Sequence, residues 1–223
     1  MTPRPERISR ADVLSAALEL VDANGLDQLT MRRLGTALGA DPMTAYRHFA
    51  GKSDLAAALA DEFWTGLSLP ATSGISDWRT YAHVLMRTIR AELAAHAGLI
   101  PIVATHPITS PAALAAADEA IGILLELGAP VDPALGDVVN VLVMITVASA
   151  MGEFSLPAGS EPGTEGQGDP DPEREGDEAA LLSQLPHLGR VIAAGWAPSA
   201  ERQFEAGVGA ILHGWPLPHP PAS

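Results

Sequence analysis

The chain has 223 residues, no cysteine, and 13 basic against 27 acidic side chains, for a formal charge of −14 at neutral pH. That composition excludes a disulfide framework, a thiolate nucleophile and a cysteine-based zinc site, and it argues against nucleic acid or membrane coating the whole molecule. The charge is uneven, because residues 1–55 carry 7 basic and 7 acidic groups and the entire net charge therefore lies in residues 56–223. At the N-terminus, "MTPRPERISR" is charged without an apolar core, so it is not read as a signal peptide. Ser9 and Asp12 have capping-box spacing, with Ile8 and Val13 placed for a hydrophobic staple. Val13, Leu14, Ala17, Leu18 and Val21 then form a helical stripe that Gly25 ends. Thr30 caps a second predicted helix with Met31, Leu34 and Leu38 inward and Gly39 beyond its end. Asp41-Pro42 starts a very short third helix reaching Phe49. A fourth runs from about Lys52 to Trp64, with Leu55, Leu59 and Phe63 inward.

The cap-plus-proline device recurs further on. Asp77 caps a helix carrying Trp78, Tyr81, Ala82, Leu85, Ile89 and Leu93. Ser110-Pro111 opens one with Leu114, Ala117, Ile121 and Leu124 inward, and Asp132-Pro133 opens another reaching about Phe154. Ser199 caps the last, with Phe204, Val208, Ile211, Leu212 and Trp215 along one side. No period-two strand appears, so the expected class is all-α with nine or ten helices. Residues 157–178 are acidic and rich in proline and glycine, and are read as a mobile loop. The expected division is 1–66 and 67–216, with 68–76 as the connector. Residues 138–151, the most apolar run, fall short of a span of about 18 residues and carry Asn140, Thr146 and Ser149. A soluble cytoplasmic protein without a membrane segment is expected.

Function is concentrated near the N-terminus. Helix 30–38, the turn "GAD" and helix 42–49, braced by the long first helix, outline a helix-turn-helix. Four of the 13 basic residues sit there: Arg32, Arg33, Arg47 and Lys52, the only lysine. A helix of about two turns enters the major groove while the preceding helix crosses the phosphate backbone. Tyr46 and Phe49 can both be read as core of a three-helix unit, a reading preferred for Phe49 and even with a surface role for Tyr46, and Arg33 reads as a solvated charge. His48 can be read as capping a helix end.

The stretch "LTMRRLGTALGADPMTAYRHFAGKSDL" closely resembles the DNA-binding region of the TetR family of transcriptional regulators. "ATHP", "LELGAP", Gly152-Glu153 and "FEAGVGAILHGW" resemble, more loosely, a Tet-repressor-type regulatory domain. The resemblance implies a DNA-binding set of Arg32, Pro42, Met43, Thr44, Tyr46, Arg47, His48 and Lys52, reading double-stranded DNA as a homodimer on a palindromic operator. Arg32 corresponds to a guanine-reading arginine, Pro42 through Thr44 to the start of the recognition helix, and Tyr46, His48 and Lys52 to phosphate contacts. Proline stands where Tet repressors use a base-reading glutamine, so a tet-type operator is not expected.

The regulatory half implies a cavity for a small, largely apolar effector, with Phe63, Trp64, His83, Met86, Arg87, Ile102, His106, Asn140, Met144 and Met151 as candidates. His83 and Arg87 stand out because a charge on an inward-turning helix needs a partner. Ile102 occupies the position of the family's metal-binding histidine, so no magnesium-bound effector and no cofactor is expected, although Glu153 and His106 lie close by. The helix around 134–154 is apolar nearly all round and is expected to be buried on several sides. With the final helix and its small residues Gly207, Gly209 and Ala210, it is expected to pair with a second subunit. No HExxH or Walker pattern is present and no enzyme is expected. The alternatives from the residues alone are an all-α ligand-binding bundle that has lost DNA binding, and a transcriptional activator.

Overall fold

The structure is a computed structural model that describes residues 8–155 and 184–215. The acidic segment 157–178 lies outside the described residues. Ten α-helices and no strand occur among them. They are α1 (Arg10–Asn24), α2 (Met31–Ala37), α3 (Met43–Tyr46), α4 (Lys52–Gly66), α5 (Trp78–Ala95), α6 (Ile100–Thr105), α7 (Pro111–Glu126), α8 (Pro133–Phe154), α9 (Pro186–Ala193) and α10 (Ala200–Gly214). The sequence signals did not reveal α6 and α9, both of eight residues or fewer. At that length an apolar face spans two turns at most, which is too little for a periodicity to stand out.

The caps decide where the longer helices begin. Ser9 Oγ accepts from Asp12 N–H at 3.1 Å while Asp12 accepts from Ser9 N–H at 2.7 Å, closing the box on α1. Thr30 accepts from Arg33 N–H at the start of α2, and Ser110, Asp132 and Ser199 do the same for α7, α8 and α10. Asp77 takes three donors: the Arg79 and Thr80 amides at 3.0 Å each and the Thr80 hydroxyl at 2.7 Å. The Thr80 hydroxyl and amide hold the Asp77 carboxyl below its ordinary 3.8 against an opposing effect of burial, with lesser help from the Arg79 amide and charge. A carboxyl depressed in the folded state contributes stability above the ordinary carboxylate range and loses it as pH falls through the folded value. Asp77→Ala is expected to cost about 1 kcal/mol at neutral pH, the usual worth of such a cap. The gap between the two proteins should close in acid below the ordinary carboxylate range. A gap that stays constant in urea titrations across that range would refute this.

Two elements depart from the expectation. Helix α3 is a single turn, four residues long, and the chain to Phe49 continues as turns, with Arg47 N–H reaching the Met43 and Thr44 carbonyls. On α7 the expected Ala117, Ile121 and Leu124 do face inward, but Leu114 does not. Leu114 is 51% exposed and Ala113 is buried, with Ala116, Ala117 and Ala120 following on the same side. Alanines on that side let α7 approach α4 and α5 closely, which a leucine at 114 would prevent.

In the larger half, α8 packs against α5, α6 and α10, and α5 also meets α7 and α10. Helix α8 is 22 residues long and apolar enough to cross a membrane by length and composition. In the fold its Leu135, Val138, Leu142, Val147 and Ala150 form core, and the Thr146 hydroxyl donates to the Leu142 carbonyl at 2.7 Å. Burial is one-sided, however. Met144 is 61% exposed in the single chain, and Met151 is exposed as well. Within the chain, a Cβ on Gly207 would sit 3.0 Å from Ile145 Cδ1, so this glycine eases the approach of α10 to α8.

The smaller half meets the larger where α4 packs on α6 and α7 and, most tightly, at the end of α1. The α1 turn at Val21 and Asp22 rests on the corner between α5 and α6. A Cβ on Gly98 would lie 2.3 Å from the Val21 carbonyl oxygen, and His96 Nδ1 is 2.7 Å from Asp22 Oδ2.

Candidate functional site

The N-terminal unit is built on Val13, Ala17, Val21, Leu34, Ala45, Phe49 and Leu55, all buried. Around that core α2 and α3 are set by a turn in which Gly39 adopts φ 61°, a left-handed conformation that a side chain disfavours. The Ala40 amide donates back to the Gly35 carbonyl at 2.9 Å, and Asp41 Oδ1 accepts from Met43 N–H at 2.7 Å, fixing where α3 starts. The short helix therefore projects with its first turn in the open. Met43 is 60% exposed and Tyr46 47% exposed, which removes Tyr46 from the core, while Phe49 is buried. Arg32, Arg33 and Arg47 are also exposed, and Pro42 and Thr44 are partly so.

Two of the candidate phosphate contacts already have partners within the chain. The His48 Nε2–H donates to the Ile8 carbonyl at 3.1 Å, tying the end of the unit to the entry of α1. The Lys52 ammonium donates to the Leu26 carbonyl at 2.8 Å from the first turn of α4. Lys52 is nevertheless exposed, and an ammonium has three donors, so two remain for solvent or an anion.

The candidate ligand residues are scattered rather than gathered. Trp64, Met86 and Asn140 line a cavity of about 250 Å³ between the end of α4, α5, α7 and α8. Most of its wall came from residues the sequence reading missed, including Leu85, Ile89, Ile121, Leu124, Val139 and Val143. Their signal was present as helical core periodicity, which does not distinguish a cavity wall from packed interior. Trp64 Nε1 is buried without a hydrogen-bond partner among the described residues, as is the Tyr81 hydroxyl. Burial, and secondarily the Glu119 charge, push the Tyr81 phenol up, so it stays a neutral donor.

The other candidates lie elsewhere. Phe63 faces a different cavity, beside α1. His83 and Arg87 have their partner in Glu205 of α10, at 2.8 and 3.2 Å, and do not line the small cavity. Ile102 is fully buried core, and the His106 Nδ1–H donates to the Ile102 carbonyl at 2.9 Å. Glu153 is ion-paired with Arg90, whose guanidinium also lies 5.0 Å from the ring centroids of both Phe154 and Phe204. Among the described residues no three ligating side chains converge on a metal position. Met144 and Met151 point outward on α8, on the face left exposed.

Comparison with known proteins agrees with this architecture. Residues 13–59 match the family model described as bacterial regulatory proteins, tetR family, and residues 69–216 match the tetracyclin repressor-like C-terminal domain. The chain is 30% identical to the HTH-type transcriptional repressor DrrR1 of Streptomyces coeruleorubidus, over 60% of this chain and 48% of that one. It is 30% identical to the class A tetracycline repressor protein from transposon 1721 of Escherichia coli, over 91% of this chain and 88% of the other. The chain thus spans about half the length of some curated relatives and most of another. A crystal structure of a possible TetR family transcriptional regulator from Streptomyces coelicolor A3(2) superposes with a TM-score of 0.72 at 31% identity, covering 92% of this chain and 98% of that one.

Proposed function

This chain belongs to the TetR family of bacterial regulatory proteins, and on that premise we propose that it is a homodimeric transcriptional repressor released from a palindromic DNA operator by a small, largely apolar effector. Residues 1–66 form the DNA-binding unit in this reading and residues 67–216 the regulatory unit. The observation that carries the reading is the exposed first turn of α3, with Met43 and Tyr46 standing out of a unit whose core is otherwise closed, beside Arg32 and Arg47. Such a turn reaches base edges in the major groove, while Arg32 on the preceding helix reaches a guanine and Lys52 at the start of α4 takes a phosphate. Pro42, Thr44 and His48 complete the contact surface.

The outward Met144 and Met151 of α8, large apolar side chains left exposed in the single chain, support a two-fold partner there, since methionine is enriched at interfaces. Two-fold symmetry then sets the recognition turns about 34–36 Å apart, one DNA turn. The cavity bounded by Trp64, Met86 and Asn140 is the proposed effector site, where the orphan Trp64 N–H supplies a donor to a ligand acceptor. Helix α4 links the two functions, because Trp64 borders the cavity and Lys52 opens the same helix in the DNA-binding unit. An effector acts only through a preference for one spacing of the two units, a coupling of about 1–3 kcal/mol. The protein is read as cytoplasmic, non-membrane and non-catalytic, in keeping with relatives that are transcriptional regulators.

Selection of duplexes from a random pool by the full chain tests the reading. A palindrome with salt-dependent affinity should emerge. Arg32→Ala should then cost roughly 1–3 kcal/mol of discrimination at one base pair per half-site, whereas Lys52→Ala should weaken all sequences alike. Recovery of no preferred sequence at low ionic strength would overturn the proposal.

A further inference from the structure

The small cavity of the regulatory half is not the most spacious one. About 660 Å³ lies between α1 and α4 on one side and the α5–α6 corner on the other, within the 300–1,000 Å³ usual for small-molecule sites. It shares only Leu67 with the cavity beside Trp64. Its apolar wall is Leu14 and Leu18 of α1, Leu59 and Phe63 of α4, and Leu99 at the corner. Its polar rim is Arg10, Glu62, Glu92 and His96.

The rim is electrically lopsided. His96 is engaged by Asp22 at 2.7 Å. The Arg10 guanidinium lies 4.7 Å from the centre of the Phe49 ring, and Phe49 is not part of the wall. Glu62 and Glu92 form no ion pair among the described residues. Two unpaired carboxylates thus outnumber the one unpaired cation of the rim, Arg10, which stacks on Phe49. This net negative rim beside a broad apolar surface favours a positive head on an apolar body over an anion of the same shape.

We propose that this cavity between α1, α4 and the α5–α6 corner is a second small-molecule site, taking an organic monocation whose apolar body lies on Leu14, Leu18 and Phe63 and whose ammonium group faces Glu62 and Glu92. The site is separate from the effector cavity and does not depend on DNA binding. Calorimetric titration of the full chain at low salt tests it, using three isosteric probes: biphenyl-4-ylmethylammonium, biphenyl-4-ylmethanol and biphenyl-4-carboxylate. The ammonium should bind roughly fivefold or more tightly than the alcohol, and the carboxylate most weakly. Added salt should narrow the difference. Glu62→Gln combined with Glu92→Gln should erase the preference, and Ser15→Trp, from an exposed wall position on α1, should block all three probes. Gly136→Leu, which narrows the other cavity, should leave the preference in place. Equal binding of ammonium and alcohol, a preference that survives the double substitution, binding removed by Gly136→Leu but not by Ser15→Trp, or no binding at all, would each overturn the proposal.

Discussion

Gly98→Ala is expected to lower stability by about 3 kcal/mol, the upper end of the usual cost of overpacking. The added Cβ would lie 2.3 Å from the Val21 carbonyl oxygen, 2.7 Å from its carbon and 2.8 Å from Val21 Cγ1. Two of those three atoms are backbone, so no rotamer change relieves the contact. The Val21 carbonyl cannot tilt freely either, because it accepts the Gly25 amide at 2.8 Å that closes α1. The whole end of α1 must therefore lift from the α5–α6 corner, stretching the bond between His96 and Asp22. At fixed protein concentration the melting temperature should fall by the order of 10 °C for a chain of this size. The proposed response of operator affinity to effector should weaken as well, because this corner is where α1 rests on the regulatory half. A Gly98→Ala protein with wild-type melting would show that the contact yields more cheaply than its geometry says.

Gly35→Ala is expected to spare the fold and injure the proposed recognition surface. Alanine gains about 1 kcal/mol over glycine in a helix interior. Here the Cβ would stand 2.8 Å from both Pro42 Cα and Pro42 N, and 3.1 Å from the Ala40 carbonyl oxygen, all of them backbone. The turn between α2 and α3 must open, and α3, only four residues long, swings with it. Stability should change little, as helix propensity and overpacking oppose each other. Operator affinity should drop roughly thirtyfold or more, equivalent to one good base-edge contact in each of two half-sites. Gly122→Ala in α7 is the control: no atom lies within 4 Å of its Cβ, so it should stabilise by about 0.5–1 kcal/mol with DNA binding unchanged. Equal DNA affinity of the Gly35→Ala and wild-type proteins would refute the steric account.

These glycines mark where reading the chain alone stopped. Gly25, Gly39 and Gly128 end helices with positive φ, and a stop signal of that kind is written locally. Gly35 and Gly98 matter because backbone from elsewhere comes close, and nothing in their neighbouring residues announces it. Likewise, His83 and Arg87 were conspicuous as charges needing a partner, but that the partner is Glu205, 122 and 118 positions away, depended on how α10 lies against α5.

The amino-acid order by itself determined the helical class, the caps that start α1, α2, α5, α7, α8 and α10, and the helix-turn-helix with its cluster of basic residues. Each of those rests on side chains within a few positions of one another, so local physics suffices. Only the tertiary structure decided that α7 presents Ala113 rather than Leu114 inward, that Tyr46 stands outside the core, and that Trp64 and Phe63 open onto two different cavities. Which side of a helix is buried, and where space is left, follows from close packing of surfaces brought together from distant parts of the chain, and no periodicity along one helix encodes that.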